Sequence, residues 1–456
     1  MNKFAAVFGL LILLSIEALA APSQIAYCPY GDCTLNIPRN KMFQSLSNPN
    51  DISLIIGNNQ MYNYFKSTNS GDSWSNFTVR PFLGLHSGMS GDTSGSIYVT
   101  DESMGSVYFR KINSPAKYPS DLGPEMFLAV GPTDLTRSVV LAQDASNIWV
   151  FYRTVLNQSG NVRYFRSTDG GVTFPQQGWV ENTGTDNVRI GSFLISGKPA
   201  VVIWYSEDSS YAGWGFRYFI WNGNAFVANP DSTIVWGSQI YLREFTMNYV
   251  NNEMHIVYAD MNGRLMHSWK AYNNGIGSWN QVAIESLAYM PRDWHPILTK
   301  RGNELYLIYV RQESTMAGNN NLYYRKWNPL TKKWGIAVAI TTEGGANRFP
   351  QVPAILAATS KIIPLAWSKD ASVMFNTISI PLPTPTPIPT IRPKYKEEAV
   401  ALENVGMAVG ISSGPSGEVF SGMLLGLAII ALGLLFAWRH GHFESKPMKK
   451  QRRRRH

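Results

Sequence analysis

The chain has 456 residues, 45% apolar and 12% aromatic, with a net charge of +9 and two cysteines. Eight basic residues and one acidic residue fall within 439–456, so the rest of the chain carries only +2 and a nucleic-acid-binding class is excluded. The seven histidines are scattered, with no His-Glu-x-x-His spacing and no glycine-rich phosphate loop, so neither a metal nor a cofactor is expected.

In chain order, Lys3 precedes an apolar run over 4–16, and Ala18-Leu19-Ala20 supplies a small-x-small cleavage pattern. Residues 1–20 are therefore expected to be a secretory signal peptide. Cys28 and Cys33 lie five positions apart, and in an oxidising compartment they are expected to close a local disulfide. Residues 21–380 are rich in aromatics and glycine and lack any long segment of helical period, which favours an all-β domain.

Seven short apolar runs recur through that domain, over 53–57, 96–100, 147–152, 200–205, 254–258, 305–309 and 362–367. Most are followed by an alternating run, such as Phe216-Arg-Tyr-Phe-Ile220, then by a turn and an aromatic residue: Trp74, Phe174, Phe226, Trp279 or Trp334. A repeat of about fifty residues with four strands per unit predicts a single β-propeller, with seven blades the main reading and six the alternative. The last unit has three strands of its own before prolines intervene, so its fourth is expected from the N-terminus, within 23–37.

An arginine stands near the start of every unit: Arg39, Arg80, Arg137, Arg189, Arg243, Arg292 and Arg348. In a four-stranded meander the start of strand 1 and the end of strand 2 share one face of the ring. The arginines are thus expected on the face that also carries Glu207 and Asp260, where they are candidates for binding carboxylate or sulfate groups. The competing reading makes them struts between blades. His295, in Trp294-His-Pro, reads as a packed residue rather than a base.

After the propeller, residues 381–418 begin with alternate prolines and read as a semi-rigid stalk. Residues 419–438 carry no charge and, at about 1.5 Å per residue, are long enough to span a bilayer as a helix. The basic tail, 439–456, is expected in the cytoplasm and the propeller outside the cell. The expected partners are the membrane, through this one helix, and an extracellular glycan or protein ligand, with no nucleic acid.

Two turns carry a resemblance. Ser167, Asp169, Gly171, Thr173 and Phe174 match Ser-x-Asp-x-Gly-x-Thr-Trp/Phe, and Ser67, Asn69, Gly71 and Trp74 repeat it with asparagine for aspartate. The pattern resembles the Asp-box (BNR) repeat of the sialidase superfamily. That resemblance implies a β-propeller in which the box is structural, placed between the third and fourth strands on the side away from the ligand. It also implies, for active members, three arginines on a substrate carboxylate, a tyrosine–glutamate nucleophile pair and an aspartate acid/base. Here Asn36-Ile-Pro-Arg39 stands where Phe-Arg-Ile-Pro is the family pattern, arginine occurs in every unit, and spacing singles out no tyrosine–glutamate pair. A glycan- or partner-binding propeller is therefore expected ahead of a sialidase-like hydrolase or lyase acting on acidic sugars.

Overall fold

The structure is a computed structural model that describes residues 22–382, apart from 28–40, 58–61, 81–87, 104–105, 114–120, 131–137, 157–158, 186–188, 207–213, 237–244, 261, 273–276, 287–293 and 315–318. The chain divides after Leu382 into two units, and every described residue belongs to the first. The signal peptide, Cys28 and Cys33, the stalk beyond Leu382, the membrane segment and the basic tail lie outside the described residues.

Seven antiparallel sheets follow one another. After β1 (Ser23–Tyr27), blade 1 is β2 (Met42–Gln44), β3 (Ile52–Gly57), β4 (Tyr62–Ser67) and β5 (Ser75–Arg80). Blade 2 is β6 (Gly88–Gly91), β7 (Ile97–Ser103), β8 (Ser106–Ile112) and β9 (Met126–Val130). Blade 3 is β10 (Ser138–Ala142), β11 (Ile148–Leu156), β12 (Ser159–Ser167) and β13 (Gln176–Thr185). Blade 4 is β14 (Arg189–Ile195), β15 (Lys198–Ser206), β16 (Trp214–Trp221) and β17 (Phe226–Trp236). Blade 5 is β18 (Phe245–Val250), β19 (Glu253–Ala259), β20 (Leu265–Ala271) and β21 (Asn280–Glu285).

Blade 6 is β22 (Ile297–Arg301), β23 (Glu304–Gln312), β24 (Asn320–Asn328) and an outer strand broken into β25 (Lys333–Trp334) and β26 (Val338–Ala339). Blade 7 starts with β27 (Asn347–Gln351); β28 (Ile355–Leu356) then leaves it to pair in parallel with β22 of blade 6. The blade continues with β29 (Ile362–Lys369) and β30 (Ser372–Ser379), and β1 completes it by pairing with β30, Ser23 opposite Phe375 and Tyr27 opposite Ser372. The fold is thus an all-β, seven-bladed propeller closed by its N-terminal strand, and the six-bladed alternative is excluded.

The seven apolar runs are the second strands of the blades. Such a strand is buried on both faces, so it reads as a continuous run instead of an alternating one; β3 and β19 are buried at every position. Alternate side chains then serve opposite interfaces. Leu54 and Ile56 pack between blades 7 and 1, while Ile55 packs between blades 1 and 2. Among the described residues, seven hydrophobic clusters fill the seven spaces between neighbouring blades.

Strand direction defines two faces. The upper face carries the links from each outer strand to the next inner strand and the 2–3 loops; the lower face carries the 1–2 and 3–4 loops. Described chain both enters at β1 and leaves after β30 on the lower face. There the guanidinium of Arg301, only 1% exposed, donates to the carbonyls of Ser360 at 2.6 Å and of Pro381, and pairs with Glu304.

Candidate functional site

The turns over 67–74 and 167–174 lie on the lower face. The amides of Ser70 and Gly170 donate at 2.9 and 2.8 Å to the carbonyls of Asn50 and Ser146, which belong to the 1–2 loops. The Ser167 hydroxyl, fully buried, donates to Asp169 Oδ1 at 2.7 Å and accepts from the Gly171 amide at 2.8 Å. Oδ1 accepts further from the amides of Val172 and Thr173 at 3.0 and 2.9 Å, and Oδ2 from the Thr173 hydroxyl at 2.6 Å. The Thr173 and Ser167 hydroxyls, with the Thr173 amide, pull the Asp169 carboxyl down to about 2. Asn69 copies the pattern through Ser67 at 2.9 Å and the Ser73 amide at 3.0 Å. Both carbonyl-type oxygens are committed to their own turn, and Asp169 acts as a turn residue.

Gly71 and Gly171 adopt φ of 98° and 85°, conformations that L side chains avoid. Each also meets a ring of the preceding blade: a Cβ would lie 2.0 Å from Phe375 at Gly71 and 2.8 Å from Phe109 at Gly171. The closing aromatics stand edge-on to those rings, with Phe174 4.8 Å from Phe109. The turns are clasps between blades.

On the upper face, two candidate arginines sit where the sequence suggests. Arg189 opens β14 opposite Trp204 and lines the axial cavity, and Arg348 is the second residue of β27 opposite Ser368. Arg80 is different: it ends β5, the outermost strand of blade 1, opposite Tyr62 and far along the sheet from the inner strand. Arg39, Arg137, Arg243, Arg292 and Glu207 lie outside the described residues. Asp260 is engaged at home. Its Oδ1 accepts from the amides of Asn262 and Arg264 at 3.0 and 2.8 Å, and its Oδ2 pairs with the Arg264 guanidinium at 2.6 Å.

Arg348 stands in an unusual setting. Its Nε is buried with no hydrogen-bond partner among the described residues. Asn347 before it is pinned by Asn320 at 2.7 Å, Gly344 at 3.1 Å and Trp367 at 2.9 Å, and the register then shifts between Arg348 and Gln351. Such a bulge re-aims a side chain. Phe349 follows at φ 52°, and its ring lies 4.2 Å from that of His295, itself at φ 41° and 2% exposed. Left-handed backbone at two such residues costs of order 1–3 kcal/mol each and is characteristic of functional sites. His295 is packed, and its ring supports the rim on which Arg348 sits.

Two tyrosine–glutamate pairs emerge that spacing does not reveal. Tyr309 donates to Glu285 at 2.6 Å across blades 5 and 6, with Arg325 2.5 Å from the same oxygen. Tyr323 donates to Glu313 at 2.6 Å, with the Arg311 guanidinium 3.8 Å over its ring. Tyr309 and Tyr323 face each other across β23 and β24, which is the one sequence signal that links the pairs. Burial first, then the bond to Glu313, pushes the Tyr323 hydroxyl up to about 12. Tyr309 is raised as well, by burial and then by Glu285. With two arginines and two glutamates the cluster is charge-balanced, and in this state it ties the two blades together.

The fold has relatives among solved structures. The polysaccharide lyase Uly1 is similar with a TM-score of 0.52 at 9% identity, over 77% of this chain and 91% of the lyase. An ulvan lyase, described as representing a new family of polysaccharide lyase, is similar with a TM-score of 0.52 at 10% identity, over 78% and 96%. The NanB sialidase of Streptococcus pneumoniae (a K499G mutant) is similar with a TM-score of 0.45 at 11% identity, over 81% and 72%. No protein-family model and no curated protein matches the chain. At such identities the likeness to the two lyases establishes the fold alone.

Proposed function

We propose that the protein is a membrane-anchored, cell-surface propeller that recognises an acidic glycan through the rim of its upper face. The observation that carries this reading is the Arg348 guanidinium, whose buried Nε donor has no partner among the described residues, on a strained rim and with Arg189 on the same face. The Nε and one terminal nitrogen of an arginine form the fork that takes a carboxylate or sulfate bidentately. Among the solved propellers of similar fold, the ulvan lyase has been captured bound to -[GlcA(1-4)Rha3S]-, a unit with both kinds of anion. The expected signal peptide directs export, and the expected stalk and membrane helix supply the anchor.

The second reading, a lyase or hydrolase acting on acidic sugars, draws on the same likeness to lyases and on the pairs Tyr309–Glu285 and Tyr323–Glu313. One experiment separates the two. The full chain in lipid nanodiscs is applied to an array of uronate-bearing, sulfated and neutral glycans, and the bound glycans are followed for cleavage. Retention of acidic glycans without cleavage is the expected result. Cleavage selects the enzyme, and retention of neutral glycans alone removes the arginine-based reading.

A further inference from the structure

The inner strands of blades 1 to 6, together with Ala354 and Ile355, line an axial cavity of about 160 Å³. Its walls are largely apolar, with Met42, Met89, Leu141, Phe193, Phe245 and Met247 among them, and none of the described residues lining it is an aspartate or a glutamate. Two of them are cationic: Arg189 at the upper end and Lys300 near the lower end.

Lys300 is the anomaly. Its Nζ donates to the carbonyl of Tyr249 at 2.7 Å and has no carboxylate partner among the described residues. Burial pushes its ammonium below the ordinary lysine range, so the charge is held at a cost. The other lysine with a lowered value, Lys66, is buried and has Asp51 3.8 Å away. An ammonium among apolar walls with only a carbonyl beside it lacks the counter-charge that buried cations require.

We propose that the axial cavity binds a small organic anion with an apolar body, its carboxylate on Lys300 and its body along the methionine and phenylalanine walls. A cavity on the order of 150 Å³ accommodates a benzene-sized molecule, so the size class is that of an aryl or short alkyl carboxylate. The site is built from inner strands and from Lys300, and it stands whether or not the upper rim binds glycans.

Titration calorimetry of the full chain in nanodiscs tests this with benzoate, with benzyl alcohol as the neutral counterpart and acetate as the anion without a body. Benzoate is expected to bind at one site, at least tenfold tighter than either control. Lys300→Met is expected to weaken benzoate at least tenfold while leaving benzyl alcohol unchanged, and Lys300→Arg, which keeps the charge, to retain most of the benzoate affinity. Absence of saturable benzoate binding overturns the proposal. So does equal binding of acetate, or an unaltered affinity in Lys300→Met. If Lys300→Met does not fold, the comparison of the three ligands on the parent chain and on Lys300→Arg decides the matter.

Discussion

The indole of Trp74 and the ring of Phe375 meet edge to face, their centroids 5.0 Å apart and their planes at 74°. Trp74 closes a turn of blade 1 and Phe375 lies on β30 of blade 7, so this contact crosses the seam where the ring closes. Gly71 makes it possible by leaving the ring room. Gly71→Ala combines a left-handed φ, costing about 1–2 kcal/mol, with overpacking of about 1–3 kcal/mol. Chemical denaturation is expected to show a loss of about 3 kcal/mol. Gly197→Ala, at φ 76° with nothing within 4 Å of an added Cβ, is expected to lose only about 1 kcal/mol.

Asp169→Ala is expected to lower stability by about 1 kcal/mol, and Ser167→Ala by somewhat more, since the buried hydroxyl both donates to Asp169 and receives Gly171. Glycan binding is expected to survive both, because the turn sits on the face opposite the arginine rim. Loss of binding in a folded Asp169→Ala protein places the ligand on the lower face instead.

Deleting 21–37 removes β1 and leaves β30 as an open edge. Ile25 and Ala26 contribute partly buried contacts to the seam, worth about 2 kcal/mol together, and the bare edge invites association. A lowered melting temperature with increased aggregation is expected. An unchanged melting temperature shows that the seam is held without the N-terminal strand.

His255 and His267 form a buried relay between blades 5 and 6. Trp334 can only donate, and its indole N–H donates a hydrogen bond to His267 Nδ1 at 3.1 Å; His267 Nε2–H then donates to His255 Nδ1, also at 3.1 Å. Burial, with the nearby Lys332 charge, pushes His255 down to about 3, and burial with His255 drives His267 well below its ordinary value. Both therefore fold neutral. Below the unfolded value near 6.5 the unfolded chain binds the extra protons, so stability is full above about pH 6.5 and falls as the pH drops toward 3. Urea unfolding between pH 7 and 5 is expected to show a decline approaching 1.4 kcal/mol per pH unit for each histidine. A flat profile over that range shows that the pair is not held neutral.

Arg348→Ala is expected to weaken binding of a carboxylated or sulfated sugar by about 1.5–3 kcal/mol, the scale of a charged hydrogen bond. Affinity is expected to fall as salt rises. Arg80→Ala, on an outer strand, is expected to leave it unchanged. If Arg348→Ala instead lowers the melting temperature while the parent binds no anionic sugar, the arginine is a strut.

Protease added to intact cells is expected to release a fragment that ends within 381–418 and to spare the basic tail. Digestion of the tail reverses the orientation.

Blade number and the second strands were legible from the chain because a doubly buried strand leaves a continuous apolar run, and seven such runs recur. The clasping turns were legible because only a few residue types meet their backbone demands, glycine at positive φ above all. The inner strands were not. Strand β6 reads Gly88-Met-Ser-Gly91, with no apolar pattern, because the strands crowd together at the axis: a Cβ at Gly91 would stand 2.4 Å from the ring of Phe43. The arginine series was legible as a series, yet Arg80 falls on an outer strand where Arg189 and Arg348 open inner ones, since the distance from an arginine to the next strand varies with loop length.

By itself, then, the sequence determined the all-β class, the repeat, closure by the N-terminal strand and the structural role of the clasping turns, all of which follow from local periodicity and backbone chemistry. Only the tertiary structure brought Tyr309 to Glu285, 24 residues back in another blade, set Arg348 on a strained rim, and placed Lys300 on a cavity with no carboxylate among the described residues that line it. Those relationships depend on how seven sheets pack side by side around one axis. The distances that matter for binding run between blades, where neighbours in space lie far apart in the chain and leave no pattern in the order of residues.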